Sequence, residues 1–150
     1  MSYPFNVRVY FLLWDAERSR LLFSREKIGN HLFWKFPGGG LEFGEGTLEC
    51  AIREGQEELG ITITPLHLLG ITDTYVPSLF KEGEQVLAVY YLASCEDYDK
   101  VPALPEIPND DRSAGMIWIS PSGFDTLPLE LASDKTILKK FSDSLRNQFA

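Results

Sequence analysis

Three glutamates and an arginine crowd into the segment REGQEELG, which runs from Arg53 to Gly60. On an α-helix, residues three and four apart share a face, so Glu54, Glu57 and Glu58 would be displayed together. Like charges at that spacing cost roughly a few tenths of a kcal/mol per pair. Hard divalent cations such as Mg²⁺ and Mn²⁺ prefer oxygen ligands of this kind, and a bound cation would offset the repulsion. The alternative is a solvated acidic helix face.

The surrounding sequence, GGLEFGEGTLECAIREGQEELGI from Gly39 to Ile61, decides between these alternatives. It resembles the Nudix box, G-x5-E-x7-R-E-U-x-E-E-x-G-U, in which U is a bulky aliphatic residue. Every fixed position matches except the first U, which is Gly55. A glycine loop with Glu45 and Arg53 at the offsets of the box favours a metal site over a solvated face.

The resemblance to the Nudix hydrolase family, and to its MutT-like members, implies both a fold and a reaction. The expected fold is α/β, with a mixed β-sheet sandwiched between helices. The expected reaction is hydrolysis of a nucleoside diphosphate linked to another moiety, with Mg²⁺ or Mn²⁺ as cofactor. Water, activated by metal and a carboxylate base, would attack one phosphorus. The implied enzyme is a Mg/Mn-dependent pyrophosphohydrolase.

The resemblance also implies metal ligands. Glu54 and Glu58 match the two principal ligands of the family, and Glu57 matches a third that takes part in some members. The carbonyl of Gly38, just before the first box glycine, matches a backbone ligand. The glycines of PGGG would let the backbone turn tightly and approach the metal closely.

The catalytic residues implied by the box are Glu45, Arg53, Glu54 and Glu57. In the family, the counterpart of Arg53 pairs with the glutamate at position 45 and ties the loop to the helix. The general base is left open, because some members use a box glutamate, here Glu54 or Glu57. Others use an acid on a later loop, where the candidates are Glu96, Asp97, Glu106, Asp110 and Asp111, the last two ranked highest because they lead into the last strand.

The substrate is the least determined feature. Some relatives that cleave ADP-ribose carry a proline about sixteen residues after the box, and Pro77 lies at that offset from Ile61. ADP-ribose or a nucleotide sugar is therefore favoured over a non-standard nucleoside triphosphate, and a non-catalytic nucleotide-sensing domain is a further alternative. Four cationic residues are candidates for contact with phosphate or ribose: Arg8, Arg25, Lys35 and Lys81.

The chain of 150 residues is interpreted as one domain, 1–150, with a substantial core. A formal charge of −8 argues against a surface that coats nucleic acid. No apolar run reaches the length of a membrane span, and the N-terminus does not resemble a signal peptide, so a cytoplasmic protein is expected. The predicted partner is a small nucleotide, and the apolar N-terminal strand would allow a homodimer.

Periodicity predicts the elements that must position these residues. Strands are expected over 7–14, 21–26, 32–36, 84–94 and 115–120, with one or two extended strands over 61–76 in which Pro65 favours an edge or a bend. Residues 95–113 are expected to form a long loop. Helices are expected over 46–59, ending at Gly60, and over 133–149, with an apolar stripe of Ile137, Leu138, Phe141, Leu145 and Phe149.

Gly55, which stands where the box has a bulky aliphatic residue, leads to a separate prediction about packing. The helix should pack on the sheet through Leu48, Ala51, Ile52, Gly55 and Leu59, leaving the glutamates away from the core. Because interiors are close-packed, a large side chain should fill the space above Gly55. The expected filler is an aromatic ring from Phe33, Phe36, Phe43 or Trp118.

Overall fold

The computed structural model describes residues 4–105 and 113–147. Within these ranges the strands are β1 (Phe5–Asp15), β2 (Arg20–Ile28), β3 (His31–Lys35), β4 (Gly38–Gly40), β5 (Ile63–Ile71), β6 (Gln85–Cys95) and β7 (Gly115–Ile119). The α-helices are α1 (Thr47–Leu59) and α2 (Ala132–Asn147), and short 3₁₀ helices span Tyr98–Lys100 and Pro121–Thr126. The sequence predicted both α-helices and every strand but β4, and it predicted neither 3₁₀ helix.

The strands form a mixed sheet in the order β3-β2-β1-β6-β5, with β4 paired to β1 and β7 paired to β2. β1 and β6 are parallel, and the other pairs are antiparallel. Alternate residues of β1 face opposite cores, as Phe11 packs on the side of α1 and Leu12 on the side of α2. The near-continuous apolar run of β1 is typical of a strand covered on both faces. The predicted sheet between helices is confirmed.

β5 lies at an edge of the sheet, and its ladder with β6 is irregular between Pro65 and His67. The expectation that Pro65 favours an edge or a bend is thus confirmed. On the other face, α2 buries Ile137, Leu138 and Phe141, as predicted, while Phe149 lies outside the described residues. No helix in the described part of the chain is long and apolar enough to cross a membrane.

β4 is a strand made of glycines, a residue type that is depleted in strands. Its backbone pairs with β1 so closely that a Cβ on Gly38 would overlap the carbonyl oxygen of Val9. Gly38 also has a φ of +146°, which residues with side chains rarely adopt. The glycines therefore form a strand because the partner strand leaves no room for side chains, a constraint that local propensity does not show.

α1 is rotated relative to the predicted packing. Its buried residues are Cys50, Ala51, Glu54, Gly55 and Leu59. The prediction that Leu48 and Ile52 face the sheet is wrong, because they are 52% and 38% exposed. The prediction that the glutamates point away from the core is wrong for Glu54, which is 8% exposed. The reason is Gly39, whose lack of a side chain leaves the space that the Glu54 carboxylate occupies.

The space above Gly55 is filled by an isoleucine, so the prediction of an aromatic ring is wrong. A Cβ on Gly55 would lie 3.0 Å from Cγ1 and 3.2 Å from Cγ2 of Ile63, the first residue of β5. Only residues 60–62 separate α1 from β5, so this strand returns directly beneath the helix. Phe36 belongs to the opposite core, and Phe43 is fully exposed.

The contact between Gly55 and Ile63 predicts a compensating pair of substitutions. Gly55→Leu should overpack the site and destabilise the protein by about 1–3 kcal/mol. Ile63→Ala should leave a cavity and destabilise it by about 2–5 kcal/mol. In the double variant the leucine would occupy the cavity, so urea unfolding should show a loss smaller than the sum of the two. Strict additivity would contradict the contact.

Candidate active site

Arg53 is the centre of the candidate site. Its Nε and Nη2 donate to the two carboxylate oxygens of Glu45 at 3.0 and 2.7 Å, a bidentate ion pair. Nη2 also donates to the carbonyl oxygen of Gly40 in β4 at 2.9 Å. The pairing expected from the resemblance is therefore present. It ties the loop before α1, the helix itself and the glycine strand to one guanidinium group.

The same guanidinium group holds two of the box glutamates. Nη1 of Arg53 donates to Glu54 at 3.0 Å and to Glu57 at 3.1 Å. Glu49, one turn before Arg53, instead accepts a hydrogen bond from the backbone N–H of Gly46 and caps the helix. One cation thus contacts two of the acids of α1, Glu54 and Glu57, in addition to Glu45 of the preceding loop.

The Arg53 contact has an electrostatic consequence for Glu45. Hydrogen bonds from Arg53 and from the backbone of Glu42 hold the pKa of Glu45 down at about 2. Since the folded pKa lies below its ordinary value, this carboxylate stabilises the fold above about pH 4.5. That contribution disappears as the pH falls toward 2.

Glu58 has a different environment. Burial raises its pKa to about 7, although Lys35 and the backbone N–H of Gly38 act in the opposite direction. Its Oε2 accepts a hydrogen bond from Gly38 N at 3.0 Å. Arg53 does not contact it, and Glu54 repels it. Glu58 is therefore a partly buried carboxylate with a deficit of positive charge around it.

The backbone of β4 supplies a further oxygen. Pro37 and Leu41, which flank β4, direct their backbone hydrogen bonds toward β1. Because polar groups alternate along an antiparallel ladder, those of Gly38 and Gly40 point away from β1. The contacts agree with this, since Gly38 N–H meets Glu58 and the Gly40 carbonyl meets Arg53. The Gly38 carbonyl therefore faces the same side as the glutamates.

Two observations bear on the predicted metal ligands. Among residues 4–105 and 113–147, no three acidic, histidine or cysteine side chains lie close enough together to hold a metal ion as they stand. Glu54 and Glu57 turn toward Arg53, and Glu58 turns toward Gly38. The donors nevertheless suit a hard cation, because all are oxygens and a partly buried carboxylate is stabilised by a positive charge. The ligand set of Gly38, Glu54, Glu57 and Glu58 stays a prediction.

A cavity opens between β1, β3 and the 78–80 loop. Its lining combines apolar and aromatic side chains with two cations and two carboxylates: Asn6, Arg8, Tyr10, Glu26, Phe33, Trp34, Lys35, Ser78, Leu79, Phe80, Val86, Glu130 and Leu131. Phe33 and Phe80 meet edge to face with ring centroids 5.0 Å apart. The positive charge of Lys35 stabilises the ionised form of Glu58 in the box.

Some of the residues that line the cavity were identified from the sequence, but the sequence did not show that they lie together. Arg8 and Lys35 were candidates for phosphate or ribose contacts, whereas Asn6, Ser78 and Glu130 were missed. No local motif marks residues that four separate segments bring together. Tyr91 packs in the core, with its hydroxyl oxygen 2.6 Å from Oγ1 of Thr47.

The candidate bases of the later loop divide into two groups. Asp110, Asp111 and Glu106 lie outside the described residues. Glu96 and Asp97 line a surface cavity beside the C-terminal end of α1, together with Gly60. Neither belongs to the cavity next to β4.

Comparison with known proteins places this geometry in context. A family model described as NUDIX domain matches residues 4–141. The nucleoside triphosphatase NudI of Escherichia coli is 27% identical over 111 residues, which cover 71% of this chain and 75% of that protein. The RNA pyrophosphohydrolase of Saccharophagus degradans is 32% identical over 72 residues, which cover 48% of this chain and 41% of that protein.

The chain spans less than half the length of three of the curated relatives it matches. Among solved structures, the MutT protein of Methanosarcina mazei Go1 aligns with a TM-score of 0.69 and 22% identity, covering 96% of this chain and 97% of that one. At 22% identity, this similarity is evidence of a shared fold only.

The surroundings of Glu58 predict a pH-dependent gain in stability on substitution. Since the folded pKa of about 7 lies above the ordinary 4.5, ionisation of Glu58 destabilises the metal-free protein progressively from about pH 4.5 to 7. In EDTA, Glu58→Gln should therefore raise Tm above pH 7, by the equivalent of roughly 1–3 kcal/mol, and should not raise it near pH 4. An equal gain at both pH values would contradict the argument.

The Arg53 contacts predict a loss of stability. Arg53→Ala removes the cation that contacts Glu45, Glu54 and Glu57, so it should lower Tm by several degrees at pH 7. The loss should be smaller near pH 3, because the stabilisation that Arg53 gives through Glu45 declines progressively between about pH 4.5 and 2. Thermal unfolding at the two pH values measures it, with Arg146→Ala on the exposed end of α2 as a matched control. An unchanged Tm at pH 7 would refute the structural role.

Proposed function

This chain belongs to the NUDIX domain family, and from that premise we propose that it is a Mg²⁺- or Mn²⁺-dependent pyrophosphohydrolase. Its substrate would be a nucleoside diphosphate linked to another moiety. The observation that carries the proposal is the convergence of Glu54 and Glu58 on the glycine strand β4, beside an aromatic and cationic cavity. Carboxylates next to such a cavity suit a phosphoanhydride whose nucleoside lies in the cavity.

The residues that would hold the metal are Glu54, Glu58 and the Gly38 carbonyl, with Glu57 as a further ligand. When bound, the cation would neutralise the negative charge of the diphosphate and of the transition state. Arg53 would keep the loop, the helix and β4 in register through its contacts with Glu45 and the Gly40 carbonyl. These are roles in binding and positioning.

The attacking water needs a proton acceptor, and we assign that role to Glu57. Its side chain is 57% exposed and has Arg53 as its ion-pair partner, so the carboxylate is accessible to water. Glu54 is the alternative, although its burial leaves it less accessible. Asp110 and Asp111 lie outside the described residues and remain alternatives from the sequence.

Two substrate types compete. A nucleoside triphosphate is supported by the similarity to the triphosphatase NudI, which extends over most of both chains. ADP-ribose or a nucleotide sugar is supported by Pro77, which immediately precedes Ser78 at the cavity. The net charge of −8 favours either small nucleotide over a nucleic-acid polymer.

The test is a panel of nucleoside triphosphates, ADP-ribose and nucleotide sugars with Mg²⁺ or Mn²⁺, scored for released phosphate products. We expect hydrolysis of at least one class and no hydrolysis in EDTA. Glu54→Gln should lower kcat by about 100-fold or more, the scale on which one electrostatic group acts in catalysis. Glu17→Gln, in the turn between β1 and β2, is the control for charge. Full activity in Glu54→Gln would refute the site, and nucleotide binding without turnover would indicate a sensing domain.

A further inference from the structure

The structure separates the four cationic candidates for substrate contact by their partners. Arg25 donates to the carbonyl of Ser113 at 2.7 Å and stacks against Trp34. Lys35 pairs with Glu26 at 3.3 Å, and Lys81 pairs with Glu84 at 3.8 Å. Among the described residues, neither Arg8 nor Arg25 has a carboxylate within 4 Å of its guanidinium group, but Arg8 lines the cavity and Arg25 does not.

Arg8 is also partly removed from water. It is half-buried on β1 and lines the cavity, and its polar partner there is the hydroxyl of Tyr10, at 3.3 Å. Glu54 and Glu26 attract it only from a distance. A cation taken out of water is costly unless an anion accompanies it. The arrangement is therefore that of a cationic site that lacks its anion.

The position of Arg8 indicates which anion fits. On the β1–β4 ladder Arg8 lies opposite Gly40, and its Nη1 would be 3.4 Å from a Cβ at that glycine. The adjacent Gly39 touches the Glu54 carboxylate. On its other side, Arg8 shares the cavity with the rings of Phe33 and Phe80. Arg8 thus adjoins both the rings of Phe33 and Phe80, which suit a nucleobase, and the glycine strand beside Glu54, which suits the reacting phosphates.

We propose that Arg8 binds the phosphate that stays attached to the nucleoside. The inference rests on the proposed function, which supplies a nucleotide substrate and a nucleoside monophosphate product. A guanidinium group offers two parallel N–H donors to two phosphate oxygens, a match that a lysine ammonium cannot reproduce. Arg8 would fix the register of the substrate, so that the phosphoanhydride lies over Glu54 and Glu58.

The direct test measures binding without turnover. AMP, GMP, CMP and UMP are each compared with the matching nucleoside by calorimetry in EDTA, so that no metal contributes. The wild-type protein should bind at least one monophosphate about tenfold or more tightly than its nucleoside. Arg8→Met should abolish that preference while leaving nucleoside affinity unchanged, and Arg8→Lys should restore part of it. Lys27→Met, which removes an exposed positive charge from β2, should keep the wild-type preference.

A kinetic measurement separates this proposal from the proposed function. On whichever substrate the wild-type protein hydrolyses, Arg8→Met should raise KM by about tenfold or more and change kcat less. Circular dichroism and Tm establish that the variant folds. A wild-type protein that shows no preference for any monophosphate, or an Arg8→Met protein that retains it, would overturn the role of Arg8. Absence of hydrolysis across the panel would instead overturn the proposed function and leave the binding result interpretable.

Discussion

The candidate site depends on the close approach of helix α1 to a strand that has no side chains. At β4, a side chain on Gly38 would collide with β1, and one on Gly39 would collide with the Glu54 carboxylate. Glycine at these positions therefore does more than allow a turn. It lets a charged helix face lie directly on backbone, so that Gly38 N–H and the Gly40 carbonyl become partners of Glu58 and Arg53.

The electrostatics of the site follow from that geometry. One guanidinium group serves Glu45, Glu54 and Glu57, whereas Glu58 is left with a backbone N–H and a more distant lysine. Contact with the cation lowers the pKa of Glu45, and burial raises the pKa of Glu58. The pKa values of Glu45 and Glu58 are thus shifted in opposite directions, a pattern typical of functional sites.

Strand β1 contributes to both the cavity and the packing beneath the candidate site. Arg8 and Tyr10 alternate with Val9 and Phe11, so one face of the strand lines the cavity while the other packs beneath α1. The parallel pairing of β1 with β6 buries this strand in the middle of the sheet, where its position is strongly constrained. This central strand therefore sets the distance between the cavity and the glycine strand.

The sequence by itself determined the two α-helices and all strands but β4, because these depend on local periodicity, and its fixed spacing carried the family resemblance. The pairing of Arg53 with Glu45 was implied by that resemblance. It did not determine that PGGG forms a strand or that Glu54 is buried, since both follow from the space left by β1. It also chose an aromatic ring where Ile63 packs on Gly55, because packing across a short connection is not visible in periodicity. Only the tertiary structure showed that Arg8 and Arg25 lack a carboxylate partner among the described residues and that Arg8 alone of these two lines the cavity, since both facts depend on how the segments pack together.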